Sequence, residues 1–134
     1  MDGIQIMQQF IPSSPFVGHV GIELIALEPN HAELRLPFTE HVITIGKTVH
    51  GGAISALIDT AAMAAAWAGA EVPENMRGST VGLTVQFLAA ANETDLTARA
   101  RVLRRGRSLV NVEVDVVDAT DTPVAKGLVV YKIG

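Results

Sequence analysis

The spacing of apolar positions changes along the chain, and each change marks an element. Ile4, Ile6, Met7, Phe10 and Ile11 recur at near-helical spacing and predict a short N-terminal helix. Pro12-Ser13-Ser14-Pro15 is expected to end it, because proline removes a donor and biases the residue before it away from helix. Val20–Glu28 then reads as a strand and Pro29-Asn30-His31 as a turn. Ala32-Glu33-Leu34-Arg35-Leu36 alternates apolar and charged, so the two runs make a hairpin with one wet face. Phe38 to Val49 reads as a loop. Ala53–Ala70 is the most apolar stretch and predicts a long buried helix, with Gly69 as a stop signal and a polar connection over Glu71–Gly78.

Everything after that has period two. Val81, Leu83, Val85 and Phe87 are expected on one face, with Thr80, Gly82, Thr84 and Gln86 on the other. Leu96, Ala98, Ala100 and Val102 oppose Thr97, Arg99 and Arg101. Val110, Val112, Val114 and Val116 oppose Asn111, Glu113 and Asp115. Val124–Tyr131 is the last β-rich run. The breaks at Ala91-Asn92-Glu93, Arg105-Gly106-Arg107 and Asp118–Thr122 are hairpin-like, so these strands should be largely antiparallel.

The order is helix, two strands, one long helix, four strands. Strands that alternate on one side have a single apolar face to cover, and a helix apolar nearly all round must be surrounded. The economical solution is an α+β fold, one domain over residues 1–134. A curved antiparallel sheet of five or six strands wraps the long helix, and residues 1–15 form a lead-in. The many alanines let sheet and helix approach closely. The sheet leaves an edge and one face partly uncovered, which pairing between subunits would solve.

Composition narrows the function. Aromatics are 4% and the net charge is −4, which argue against base stacking and broad phosphate-backbone binding, so no nucleic-acid partner is expected. With no cysteine there is no disulfide, thiolate zinc site or thiol nucleophile, and no metal or cofactor is expected. Met1-Asp2-Gly3 lacks the start of a signal peptide. Asp59 inside the apolar stretch argues against a membrane span, since an ionised Asp at the bilayer centre costs roughly 2.5–3.5 kcal/mol. A soluble cytoplasmic protein is the expectation.

The densest chemical signal is His50-Gly51-Gly52 at the start of the buried helix, with Asp59 nine residues after the histidine. A helix start offers unpaired N–H groups and the positive end of the dipole. Two glycines let a substrate approach that backbone with no Cβ in the way. A developing oxyanion needs such donors. Asp59 on an apolar helix could be a desolvated base or nucleophile. Each feature alone has a plainer reading: a lone Asp usually faces water or a neighbouring backbone group. Their fixed spacing ahead of four strands is harder to dismiss.

The sequence resembles the hotdog-fold thioesterases of the PaaI-like, phenylacetate-pathway group. It carries that group's HGG-x6-D segment as His50-Gly51-Gly52 to Asp59, the Thr-Val-x-Leu strand as Thr80-Val81-Gly82-Leu83, and a Gly-Arg turn as Gly106-Arg107. The resemblance spans roughly 16–133. It implies hydrolysis of an acyl-CoA thioester in two sites built across a homodimer, and a dimer of dimers as the assembly. The Gly51 amide would polarise the carbonyl. Asp59 of the facing subunit would activate water or attack to give an anhydride, and Thr80 would hold the water. His50 would shape the turn rather than act as base. Relatives usually carry Asn six residues before the histidine, where its amide helps hold the thioester oxygen; here that residue is Thr44. Arg99, Arg101, Arg104, Arg105 and Arg107 are five of the ten basic residues. A solvated strand face accounts for the first two. The turn formed by Arg104, Arg105, Gly106 and Arg107 suits the phosphates of CoA. A hotdog hydratase or dehydratase and a non-catalytic acyl-CoA binding module are the competing functions. The acyl group is not legible; its pocket depends on which of Ile54, Ile58, Met63 and Trp67 line it.

Overall fold

The computed structural model describes residues 1–134. Helix α1 (Gly3–Ser13) is followed by α2 (Pro15–Val20), strands β1 (Glu23–Glu28) and β2 (His31–Leu36), and a short hairpin, β3 (Ile43–Ile45) with β4 (Thr48–Val49). The long helix α3 (Gly51–Trp67) precedes β5 (Gly78–Phe87), β6 (Leu96–Arg105), β7 (Leu109–Val117) and β8 (Pro123–Ile133). Six strands form one antiparallel sheet in the order β1-β2-β6-β7-β8-β5. Helix α3 packs across its inner face, as a hotdog fold requires.

The alternating residues supply that inner face. Leu34, Leu36, Leu96, Ala98 and, on β7, Val110, Val112, Val114 and Val116 are buried against the alanines of α3, from Ala61 to Ala66. The outer face carries the intervening charges. Arg99 pairs with Glu33, Arg101 with Glu113, and Lys126 with both Glu113 and Asp115. Arg99 and Arg101 therefore lie on a solvated ladder, where such pairs each add little stability.

Several expectations need correction. Pro12 lies inside α1, near its end, where only one ladder bond is forfeited. Ser14 N–H and Ser13 Oγ cover the Phe10 carbonyl there. Val20 is helical rather than extended: Pro15 starts α2 and left-handed Gly21 closes it, so the first strand begins only at Glu23. The segment from Phe38 to Val49 contains a 3₁₀ turn and the β3–β4 hairpin. Helix α3 starts two residues earlier than Ala53 and ends at Trp67. It is also not enclosed all round. Gly52 is exposed, and Ala56, Asp59 and Met63 are half-buried. These four residues form one helical stripe, since their three- and four-residue steps share a face.

The remaining correction concerns β5. Strict alternation places Thr80 on the face opposite Leu83. The β5–β8 register slips between Thr80 and Gly82, so Thr80 lies opposite Tyr131 and Leu83 opposite Val129. Tyr131 and Val129 are both buried on the inner face. The extra residue, Val81, thus turns Thr80 inward, toward α3.

Candidate active site

His50 caps α3. Its backbone is extended, and its Nδ1 accepts the Gly52 N–H at 2.7 Å. The His50 carbonyl takes the N–H groups of Ala53 and Ile54, at 3.0 and 3.2 Å. The Gly51 N–H, at the first helical position, has no partner in the chain. A neutral imidazole that accepts at Nδ1 carries its proton on Nε2. This geometry makes His50 the N-cap of α3.

A groove of about 480 Å³ opens beside the free amide. Gly51, Ile54, Thr44, Phe87 and Leu88 are among its lining residues. The Phe87 ring lies flush against Gly51, where a Cβ would stand 3.3 Å from its edge. Thr44 and Gly51 therefore line the same groove. Phe87 was read only as an apolar strand residue, and no local signal marks it as part of the groove.

Asp59 is half-buried on the open stripe of α3, and Thr80 Oγ1 donates to its Oδ1 at 2.6 Å. That bond fixes the carboxylate and leaves the other oxygen available. Asp59 is eight positions beyond Gly51. At a rise of about 1.5 Å per residue they stand about 12 Å apart along the axis. A carbonyl on the Gly51 amide is beyond the reach of the same chain's Asp59.

The arginine turn lies at the other end of α3. Arg105 donates through Nε and Nη2 to Asn30 Oδ1, at 3.2 and 2.8 Å, and its burial lowers its pKa from the ordinary value. A groove of about 500 Å³ runs past it, lined by Gly69, Glu71, Arg105, Gly106, Arg107 and Ser108 among others. Arg104 and Arg107 are exposed and have no carboxylate partner. Within one chain this turn is some 25 Å from Gly51 along a 17-residue helix. Of the residues expected to line an acyl pocket, Ile58 and Trp67 are buried in the core, Ile54 is buried at the wall of the groove beside Gly51, and Met63 reaches the open stripe.

The profile of the thioesterase superfamily matches residues 46–125, from the β3–β4 turn to the first residues of β8. The chain belongs to the thioesterase superfamily. A candidate esterase of Saccharolobus solfataricus is 28% identical to it over 98% of this chain and 88% of that protein. The solved PaaI protein of the Escherichia coli phenylacetic acid degradation operon superposes with a TM-score of 0.73 at 22% identity, covering 84% of this chain and 83% of that one. A Streptococcus mutans protein solved with acetyl CoA bound gives 0.76 at 17%, covering 85% and 89%. At these identities the two solved structures show the fold alone. The matched span contains Gly51, Asp59, Thr80 and Arg107 and leaves Thr44 outside. No helix is long and apolar enough to cross a membrane.

Proposed function

We propose that this thioesterase-superfamily chain hydrolyses acyl-CoA thioesters in a homodimer with two sites. Each site joins the Gly51 amide of one protomer to Asp59 of the partner subunit. The carrying observation is the pairing of an unpartnered Gly51 N–H with a hydroxyl-anchored carboxylate that its own chain holds about 12 Å away. Two copies related by a two-fold axis can close that gap. The free edge of β5 supports such pairing, with Val81, Leu83 and Phe87 exposed at 55, 42 and 54%.

The thioester oxygen accepts the Gly51 N–H, and Thr44 adds a second donor in the same groove. The free oxygen of Asp59 removes a proton from water as that water attacks the carbonyl carbon. The tetrahedral oxyanion is held by Gly51 at the positive end of α3. Its collapse breaks the C–S bond, and the leaving thiolate takes the proton back from Asp59. In the nucleophilic variant Asp59 attacks directly, CoA leaves, and water cleaves the anhydride. Arg104 and Arg107 supply charge for the nucleotide phosphates.

A panel of acyl-CoAs with a thiol reagent tests the reaction. CoA release supports it; 3-hydroxyacyl product without thiol indicates a hydratase; saturable binding without turnover indicates a binding module. Asp59→Asn should lower kcat by roughly 10²–10⁴ and change KM much less. Retention of more than about a third of kcat would remove Asp59 from the chemistry. Single-turnover hydrolysis in ¹⁸O water separates the variants, since label enters Asp59 only through the anhydride.

A further inference from the structure

The ten Lys and Arg side chains divide into two sets. Six are engaged. Arg35, Lys47, Arg99, Arg101 and Lys126 pair with carboxylates, and Arg105 is bound to Asn30. The other four, Arg77, Arg104, Arg107 and Lys132, are exposed and have no carboxylate partner. All four lie at one end of the sheet. Arg77 directly precedes β5, and its carbonyl accepts the Gly134 N–H at 2.8 Å, just beyond β8. Lys132 of β8 lies opposite Leu109 at the start of β7. The Ser108 carbonyl accepts the Ile133 N–H at 2.9 Å and ties the Arg107 turn to β8. Arg104 of β6 lies opposite Asn111. Glu71 and Glu74, in the connection ahead of Arg77, are exposed and pair with none of the four. A chain of net charge −4 thus gathers its free positive charge at a single corner.

The width and the apolar content of this corner both exceed what a nucleotide uses. Strands β6, β7, β8 and β5 are successive in the sheet, so at about 4.8 Å per strand the cations span about 14 Å. The phosphates of the CoA nucleotide hang on one ribose and engage only part of that width. Leu103 and Leu109, exposed at 47 and 45%, lie among the cations. Leu109 also lines a groove of about 320 Å³ with Arg104, Arg107 and Asn111. Phosphates gain nothing from leucines, whereas an apolar centre with a charged rim is how protein interfaces are built. An α-helix repeats its side chains every turn, about 5.4 Å, which is close to the strand spacing. An acidic helix laid across these strand ends can therefore meet one cation per strand.

We propose that this corner docks an acidic carrier protein that presents its acyl group on a pantetheine arm, so that carrier-bound thioesters are substrates beside those of CoA. The corner stands at the C-terminal end of α3, where Arg105 lies beside Gly69. That end is about 12 Å beyond Asp59 along the helix axis, on the side away from the same chain's Gly51. The arm runs from the docked carrier toward Asp59 of that protomer and delivers the thioester carbonyl to the partner's Gly51. Water adds to the carbonyl carbon, the C–S bond breaks, and the arm leaves as the free thiol of the carrier. The chemistry rests on the proposed function; the docking does not.

The test is binding of a purified acyl carrier protein in its holo form, arm present and acyl group absent, to the full-length protein by calorimetry. Binding should be saturable and should weaken as salt is raised. Reversing two free charges, Arg77→Glu with Lys132→Glu, breaks no ion pair and should raise Kd about tenfold or more. Leu109→Gln leaves every charge in place and should raise it about 3–5-fold. KM for the octanoyl-loaded carrier should rise in parallel, while KM for octanoyl-CoA changes by less than about twofold in the same variants. Absence of binding, or equal Kd values for the wild type and both variants, would overturn the proposal. Equal rises in KM for the two substrates would also overturn it and give Arg77 and Lys132 to the CoA nucleotide. Holo carrier bound at this corner by a protein that hydrolyses neither thioester would refute the proposed function and leave the docking surface standing.

Discussion

The two ends of α3 are finished in opposite ways. At the N-terminus one amide is closed by the His50 ring, two are closed by its carbonyl, and the Gly51 N–H is left free beside an apolar groove. At the C-terminus the helix end is packed, and Ala68 N–H bonds the Ala64 carbonyl. Ala70 N–H bonds the Trp67 carbonyl, α1 begins against that same carbonyl at Gly3, and Arg105 stands beside Gly69 locked to Asn30. Cationic Arg105 at this end suits the helix dipole. A helix end packed against neighbouring elements serves stability. An end with one donor withheld forgoes a hydrogen bond and leaves that donor open, as the proposed function requires. Substitutions at the two ends should therefore separate turnover from stability.

Gly51→Pro is the largest expected effect. It deletes the free N–H at the position where proline is best tolerated in a helix, and His50, at φ −63° and ψ 133°, already has the conformation that precedes proline. Loss of an oxyanion donor should lower kcat by roughly 10²–10³ with little change in melting temperature. Mixing this variant with Asp59→Asn sharpens the comparison. A mixed dimer holds one intact site if the sites are shared between subunits, so random pairing should restore about a quarter of wild-type activity. No recovery would place each site within one chain.

At the other end Gly3→Ala should cost stability alone. Its Cβ would stand 1.7 Å from the Trp67 carbonyl oxygen, so α1 must back away from α3. Overpacking of this kind costs about 1–3 kcal/mol. Denaturant unfolding would measure it, and kcat per folded molecule should hold. A fall in kcat without a fall in stability would erase the distinction between the ends.

Thr44 tests how complete the N-terminal end is. Thr44→Val removes the hydroxyl at similar volume and should lower kcat/KM by about 5–30-fold, the worth of one hydrogen bond that strengthens in the transition state. Thr44→Asn should match or exceed the wild type. Equal rates for all three proteins would make Thr44 a mere wall of the groove.

The same contrast explains what the sequence disclosed. Period-two and helical spacing made the sheet, its order of elements and α3 legible, because burial on one face leaves a mark at every second or every third to fourth residue. The His50-Gly51-Gly52 to Asp59 spacing marked the open end, because capping and close backbone approach restrict which residues fit. Features set by one residue's register were hidden. The bulge at Val81, which turns Thr80 toward Asp59, breaks an alternation that still reads as perfect along the chain. The Arg105–Asn30 bond joins residues 75 positions apart, so the arginines of the turn looked equivalent in sequence.

That difference among the arginines gives the smallest and most selective prediction. Arg104 and Arg107 are exposed and unpaired, whereas both Arg105 donors that bind Asn30 are already committed. Exposed charge contacts are worth up to about 1 kcal/mol each. Arg107→Ala and Arg104→Ala should therefore raise KM for a full-length acyl-CoA by about 2–5-fold apiece and leave kcat nearly unchanged, because phosphate contacts are similar in the ground and transition states. The effect should fade at high salt, where charges more than a few ångströms apart are screened. A pantetheine thioester lacks the nucleotide phosphates, so its kinetics should not respond to either change. Arg105→Ala should behave differently: it frees Asn30, lowers stability, and affects both substrates alike. Steady-state KM for the two substrates at low and high salt distinguishes these patterns. Equal losses on both substrates for Arg107→Ala would make the whole turn part of the structural end of α3, with no hold on CoA.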